Sequence, residues 1–249
     1  MTVPPVNDLY PWFQTLADLQ DGPLDLAAFF GNAKPVELEV GCGRGLFLVT
    51  AGMARPETNF LGVDCDYKEA RRASRRMQKR QLPNVRIFGA DARILLPRHL
   101  ADGCLSGAHV YFPDPWWKRR HRKRRIFNPE FLRQCARMLK VGSELHSWTD
   151  VEEYFQVIVR LVNAHPAFQA VEAPPEREAT HDMDYHTSFE RKKRKAGLPI
   201  YRARWTRVGG SYEWPPEILA ALIQEEQEAT DRESQQSEDA AAHQGHRSR

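Results

Sequence analysis

The sequence is short of cysteine, with four in 249 residues: Cys42, Cys65, Cys104 and Cys135, separated by 22 to 38 intervening positions. Without a CxxC pair this spacing excludes a zinc ribbon or a dense disulfide framework, and a reducing cytoplasm is the compartment it suits. Long apolar runs are missing too: none approaches the ~18–20 residues of a membrane span, and residues 1–12 hold no apolar signal-peptide core. Neither secretion nor membrane integration is therefore expected. The chain has no GK[ST] phosphate loop and no GxGxxG dinucleotide fingerprint, which argues against nucleotide-triphosphate and nicotinamide chemistry. What remains is 41% apolar and 28% charged, enough for a proper core and for one large domain with appendages.

The formal charge of +3 is unevenly distributed. Residues 1–33 carry four Asp and no base, and residues 225–249 carry seven acids against three bases. With −4 at each end, the body from 34 to 224 holds +11. A body that basic suits a polyanionic partner. The organisation expected is an extension over 1–33 packing on the domain, a domain over 34–224, and an acidic, disordered tail over 225–249.

Within the body, short apolar runs alternate with helical periodicity. Strands are expected at Val36–Val40, Phe60–Val63, Val85–Phe88, Ala108–Phe112, Ser143–Trp148 and Ile200–Thr206. Helices are expected at Leu46–Arg55, Tyr67–Gln81, Ala92–Leu100, Pro129–Leu139 and Val151–His165. This alternation predicts an α/β fold with a doubly wound, mostly parallel sheet. Ligands of such sheets bind beyond the carboxyl ends of the strands, where Gly41, Asp64, Asp91, Asp114 and Asp150 fall.

The turn after the first strand reads Glu39-Val-Gly41-Cys-Gly43-Arg-Gly45. Its glycines permit positive φ and a close approach of backbone to ligand. Asp64, closing the second strand, is placed to accept two ribose hydroxyls, and Asp91, after the third, to meet an adenine. A pocket with this many acids favours a cationic nucleoside without pyrophosphate, and S-adenosyl-L-methionine fits that description. The alternative for Asp91 is to cap the helix that begins at Ala92.

Tyr111-Phe-Pro-Asp114-Pro-Trp116-Trp117 follows the fourth strand, and from Lys118 to Arg125 every residue except His121 is a lysine or arginine. The flanking prolines hold Asp114 in a non-helical loop, the tryptophans offer faces for a base, and the cations suit phosphates. Two further basic stretches, Arg71 to Arg80 and Arg191 to Lys195, are read as phosphate contacts or solvated faces. His109 and Trp148 are read as structural residues.

Phe112-Pro-Asp-Pro-Trp116, with Lys118, His121 and Lys123-Arg-Arg125, resembles the signature of the bacterial TrmB-type tRNA (guanine-N7-)-methyltransferases. The likeness extends through Glu39-Val-Gly-Cys-Gly, Thr149-Asp150 and Thr187-Ser188-Phe189-Glu190, and covers about residues 25–207. It implies the Rossmann-like, seven-stranded class I methyltransferase sheet and methyl transfer from S-adenosyl-L-methionine to N7 of a tRNA guanosine in the variable loop, guanosine 46. It implies Glu39, Gly41, Gly43, Asp64, Asp91 and Asp114 as cofactor residues, and Asp114 as the catalytic carboxylate. Lys118, Asp150, Thr187, Ser188, Phe189 and Glu190 would contact the substrate. The partner implied is tRNA, without metal or membrane, for a monomer or a homodimer.

Two departures stand out: Asp64 occupies a position that is usually Glu in the family, and Trp117 adds a second large ring. The stretch from Glu172 to Tyr185 carries no assigned role. Two other readings compete with this one. An adenine amino-methyltransferase is suggested by Asp114-Pro115-Trp116, although Trp stands where that loop has Pro. A non-catalytic RNA-binding protein on the same scaffold would be expected to have lost one of the acids, and all are present.

Overall fold

The computed structural model describes residues 8–173, 175, 185 and 187–228. Its strands are β1 (Phe13–Thr15), β2 (Val36–Val40), β3 (Asn59–Asp64), β4 (Val85–Gly89), β5 (Leu105–Tyr111), β6 (Leu139–Thr149), β7 (Phe168–Val171) and β8 (Tyr201–Arg207). The helices are α1 (Leu26–Phe30), α2 (Leu46–Ala54), α3 (Tyr67–Lys79), α4 (Ala92–His99), α5 (Pro129–Met138), α6 (Glu152–Ala164), α7 (Ser188–Lys195) and α8 (216–228). One sheet holds all the strands in the order β1-β4-β3-β2-β5-β6-β8-β7. The first six in that order are parallel, and β8 and β7 close the edge antiparallel.

The central strands are apolar along their whole length because helices cover both faces of a parallel sheet. On one side Phe47 and Leu48 of α2 and Met77 of α3 pack on Phe60 and Ile87. On the other, Leu95 of α4, Leu132 of α5 and Ile158 of α6 pack on Leu38, Leu61 and Phe88. Local signals set where the helices begin. The side chains of Asp66, Asp91, Asn128 and Thr187 each accept a backbone N–H of the first turn, as N-caps do. Pro129 opens α5, where its missing N–H costs nothing.

Eight strands form where seven are expected, because residues 8–31 supply a strand as well as the short helix α1. Ile87 N–H donates to Trp12 C=O (2.9 Å), and Trp12 Nε1 donates to Leu82 C=O (2.7 Å). This tethers Phe13–Thr15 in parallel beside β4. Three residues are too few to show a period, so the strand is set by the neighbouring ladder rather than by local pattern. Two further elements carry too weak a local pattern to be expected. β7 is four residues long, and α7 lies in a run dominated by Lys and Arg. At the other end, α8 packs Ile218, Leu219 and Leu222 on the core, and Glu225 pairs with Arg160 at 3.1 Å. The expected acidic tail thus begins inside a helix, and residues 229–249 lie outside the described residues. So does most of the stretch between Glu172 and Tyr185. Among the described residues no helix is long and apolar enough to cross a membrane, and no group of three His, Cys, Asp or Glu could hold a metal.

Candidate active site

A cavity of about 450 Å³ opens beyond the carboxyl ends of β2 and β5, bounded by the glycine turn on one side and α7 on the other. The turn takes its shape from its hydrogen bonds. Gly41 and Cys42 donate to Val63 C=O at 2.8 and 3.2 Å, and Gly45 donates to Cys42 C=O at 2.8 Å. Gly43 has φ +49°, and a side chain built there or at Gly41 would meet no atom within 4 Å. Both therefore leave bare backbone and space beside them, as a closely approaching ligand requires.

Glu39 and Asp64 sit behind this turn in different states. Glu39 is buried, at 3% exposure, and lines the cavity; its Oε2 has no hydrogen-bond partner among the described residues. Burial, and then the neighbouring Asp64 charge, push its carboxyl well above the ordinary range. Asp64 braces the turn: Oδ2 accepts from Gly43 N–H at 2.7 Å and Oδ1 from Asp66 N–H at 2.8 Å. Its partial burial raises its pKa despite those bonds. An unpartnered buried acceptor is costly unless a ligand donor meets it, so the pocket fits a cation or an N–H-bearing group at Glu39.

Asp91 caps α4. It accepts Arg93 N–H at 2.9 Å, pairs with the Arg93 guanidinium at 2.6 Å, and does not line the cavity. The Arg93 hydrogen bond lowers its pKa. Of the alternatives read for this residue, the helix cap is thus realised.

The loop after β5 turns sharply. Phe112 and Trp116 both adopt left-handed backbone, at φ +52° and +42°, which costs of order 1–3 kcal/mol each for a non-glycine residue. Phe112 N–H is held by Trp148 C=O at 2.7 Å. Asp114, between the two, is exposed, as is Lys118, and neither lines the cavity. The basic run that follows coils into a 3₁₀ segment (Arg119–Arg124) and folds back on the tryptophans. Arg124 sits 5.1 Å over Trp116, Arg125 5.9 Å over Trp117, and Arg125 Nε donates to Pro115 C=O at 2.7 Å. The tryptophan faces are thus partly covered by the chain's own guanidiniums rather than left bare for a base. His121 stands against the edge of Trp116, and slight desolvation together with Arg124, Arg120 and Lys118 lowers its pKa.

The second wall comes from far along the chain. Thr187 lines the cavity while its side chain accepts Glu190 N–H at 2.9 Å to start α7. Ser188 is the first residue of α7. Phe189 stacks on Phe112 with ring centroids 6.1 Å apart and planes 21° apart. Glu190 is buried at the back of α7, 3.4 Å from Arg194 and 3.8 Å from Arg202. Asp150, at the end of β6, pairs with Lys193 at 2.6 Å, which ties α7 to the sheet. Of the expected site residues, the structure gathers Glu39, Gly41, Gly43, Thr187 and Phe189 around one cavity, with Asp64 bracing its turn. Asp91, Asp114, Lys118, Asp150 and Glu190 lie outside its lining.

The sequence reading missed Cys42, Phe47 and Glu69, which also line the cavity, and the polar chain behind Tyr111. The Tyr111 hydroxyl lies 3.0 Å from His109 Nδ1, whose Nε2 reaches Glu37 Oε2. Period-two spacing is the available signal: Glu37 and Glu39 share one face of β2, and His109 and Tyr111 the same face of β5.

Residues 33–203 match the model of a family described as "Putative methyltransferase". A tRNA (guanine-N(7)-)-methyltransferase of Rhodopirellula baltica is 43% identical over 204 residues, covering 80% of this chain and 75% of that protein. Its namesake from Neisseria meningitidis serogroup A is 34% identical, covering 80% and 82%. Among solved structures, the 16S rRNA methyltransferase KamB matches with a TM-score of 0.56 at 16% identity, covering 75% of this chain and 95% of that one. The antibiotic-resistance methyltransferase Kmr matches with a TM-score of 0.51 at 19% identity, covering 75% and 93%. These two share the fold. With its glycine turn, acid-lined cavity and this level of identity, the chain belongs to the tRNA (guanine-N(7)-)-methyltransferase family.

Proposed function

We propose that the chain methylates N7 of a guanosine in tRNA, guanosine 46 of the variable loop, with S-adenosyl-L-methionine as methyl donor. The observation that carries the donor assignment is Glu39 Oε2, a buried acceptor without a partner among the described residues, on a residue that lines a cavity floored by bare glycine backbone. The cationic ammonium and sulfonium of that donor suit it. Asp64, bracing the turn, keeps acceptor capacity for ribose hydroxyls beyond its two backbone bonds. Asp91, shared with Arg93, is the adenine-side candidate.

When bound, the donor would supply an electrophilic methyl to the N7 lone pair, the carbon–sulfur electrons leaving with a thioether and the positive charge passing to the guanine. No proton has to be removed, so the reaction needs no general base. The residues' work is positioning and charge stabilisation. Asp114 and Asp150, at the ends of β5 and β6, are suited to accept from guanine N1 and N2 hydrogens and to offset the charge that develops on the ring. The stacked Phe112 and Phe189 offer an apolar face beside them. Lys118, Thr187, Ser188 and Glu190 complete the substrate side of the proposal.

The test is direct. Purified protein with methyl-labelled donor should form 7-methylguanosine in unmodified tRNA, identified by mass spectrometry after nuclease digestion. Label found only in adenine or protein would reject the reading. A tRNA carrying adenosine at position 46 should accept no methyl, and undiminished labelling would reject the position.

A further inference from the structure

Helix α3 carries an unusual surface. Its inner row, Ala70, Ala73, Ser74 and Met77, is buried, and its outer row, Arg72, Arg75, Arg76, Lys79 and Arg80, is exposed. Arg72, Arg76 and Arg80 follow one another at i,i+4, as do Arg75 and Lys79, so like charges are stacked where helical neighbours repel. Several surface arginines elsewhere are neutralised. Arg93 pairs with Asp91, Arg133 with Glu130 and Glu213, and Arg137 with Asp102. On α3 the available acids are taken near its N-terminal end, Asp8 by Arg71 and Glu69 by Arg72 and Arg44. Among the described residues Arg75, Arg76, Lys79 and Arg80 have no ion pair.

This row is joined to the cavity. Arg76 donates to Arg44 C=O at 3.0 Å, and Arg44 lines the cavity, as does Lys192 of α7. The α3 backbone is locked against the same turn, since a Cβ at Gly45 would come within 2.8 Å of Met77 Cε and 3.0 Å of Ala73 Cβ. Partial burial and the charges of Arg80, Arg44 and Arg191 together depress the Arg76 pKa, so these cations share one field.

We infer that the outer row of α3, from Arg75 to Arg80, is a docking surface for the sugar–phosphate backbone of the RNA whose guanosine enters the cavity. The occupant follows from charge: a row of cations with no ion pair among the described residues, beside a site for a nucleoside, is complementary to a polyanion. The inference rests on the proposed methylation of tRNA and adds a second arm to the basic run at Lys118–Arg125. The two follow β3 and β5, the strands that flank β2 in the sheet.

The experiment compares the wild type with the triple variant Arg75→Glu, Lys79→Glu, Arg80→Glu. A charge-matched control carries Lys34→Glu, Arg98→Glu and Lys140→Glu, all exposed and away from α3. Arg76 is left in place because it supports the glycine turn. The triple variant should bind tRNA at least about tenfold more weakly at moderate salt. Its slope of log affinity against log salt should be about two units shallower, since each phosphate that is no longer neutralised takes ~0.7–0.9 from the slope. Donor affinity, measured by calorimetry, should stay within about twofold of wild type, and the control should lose no more than about threefold in tRNA affinity. Wild-type tRNA affinity and slope in the triple variant would overturn the inference, as would equal losses in variant and control. Wild-type methylation assayed in parallel separates the two claims. A selective loss of tRNA affinity supports the surface even if no 7-methylguanosine forms, and an intact affinity refutes the surface even if it does.

Discussion

His109 Nε2 lies 2.9 Å from Glu37 Oε2, and the opposite oxygen of Glu37 lies 2.7 Å from Arg55. Through His109 Nδ1 this chain reaches the Tyr111 hydroxyl, so an ion-paired acid on β2 steadies a ring that walls the cavity on β5.

That chain makes stability depend on acid. Burial alone would raise the Glu37 pKa, but the hydrogen bonds and charges of His109 and Arg55 outweigh it and hold it at about 2, against an ordinary 4.5. A folded pKa below the unfolded one gives stability that is complete above about pH 4.5 and is lost as pH falls towards 2. The gap corresponds to about 3 kcal/mol. Glu37→Gln should therefore be less stable than wild type at pH 7 by roughly 2–3 kcal/mol, with the two converging near pH 2. Urea titrations across that range would show it; a difference independent of pH would mean the ion pair is not its source.

Donor binding should release a proton. Burial and the Asp64 charge raise the Glu39 pKa in the free protein, and a cationic ligand favours the carboxylate. Affinity should then rise with pH until Glu39 is fully ionised. Calorimetry in buffers of different ionisation enthalpy would register net proton release, and Glu39→Gln should abolish it. Proton uptake by the wild type would place the cation elsewhere.

Asp114→Ala should lower kcat by ~10²–10³, the scale of removing one charge-stabilising group. Because Asp114 is exposed, stability should change little, and because phosphate contacts dominate RNA affinity, tRNA binding should change little as well. Single-turnover rates alongside binding titrations separate the two effects, and a loss confined to affinity would make Asp114 a docking residue.

Gly45→Ala should destabilise by about 2–4 kcal/mol, combining a left-handed backbone with intrusion into Met77 and Ala73. Gly103→Ala has comparable φ, +58°, but meets nothing within 4 Å, and should cost only about 1–2 kcal/mol. Equal losses at the two sites would remove the packing argument.

The parallel strands and their carboxyl-end acids are legible in the sequence because both rest on local pattern: short apolar runs ending in Gly or Asp. Glu39 and Asp64 do meet at one turn, although the acceptor without a partner is Glu39, and Asp64 is the brace. Asp91 shows where local reading divides, since one carboxylate beside a helix start serves equally as cap or ligand until Arg93 is seen to hold it. The α7 wall is visible in the sequence only as residues of a motif. Its stacking of Phe189 on Phe112 joins positions 77 apart in sequence, which no periodicity encodes. The self-covering of Trp116 and Trp117 is illegible for a related reason, because a run of cations says nothing about which of them turn inward.

Strand β1 has a consequence for handling the protein. A β4 without it would expose a ladder of unpaired amides beside Ile87 and Phe88, the kind of edge on which chains join into aggregates. With β1 in place, the outermost edge is three residues long and gives way at once to a 3₁₀ turn, too brief to template another strand. Removing residues 1–20 should therefore yield a protein that precipitates on concentration, a failure of solubility that an activity screen of truncated variants would misread as loss of catalysis.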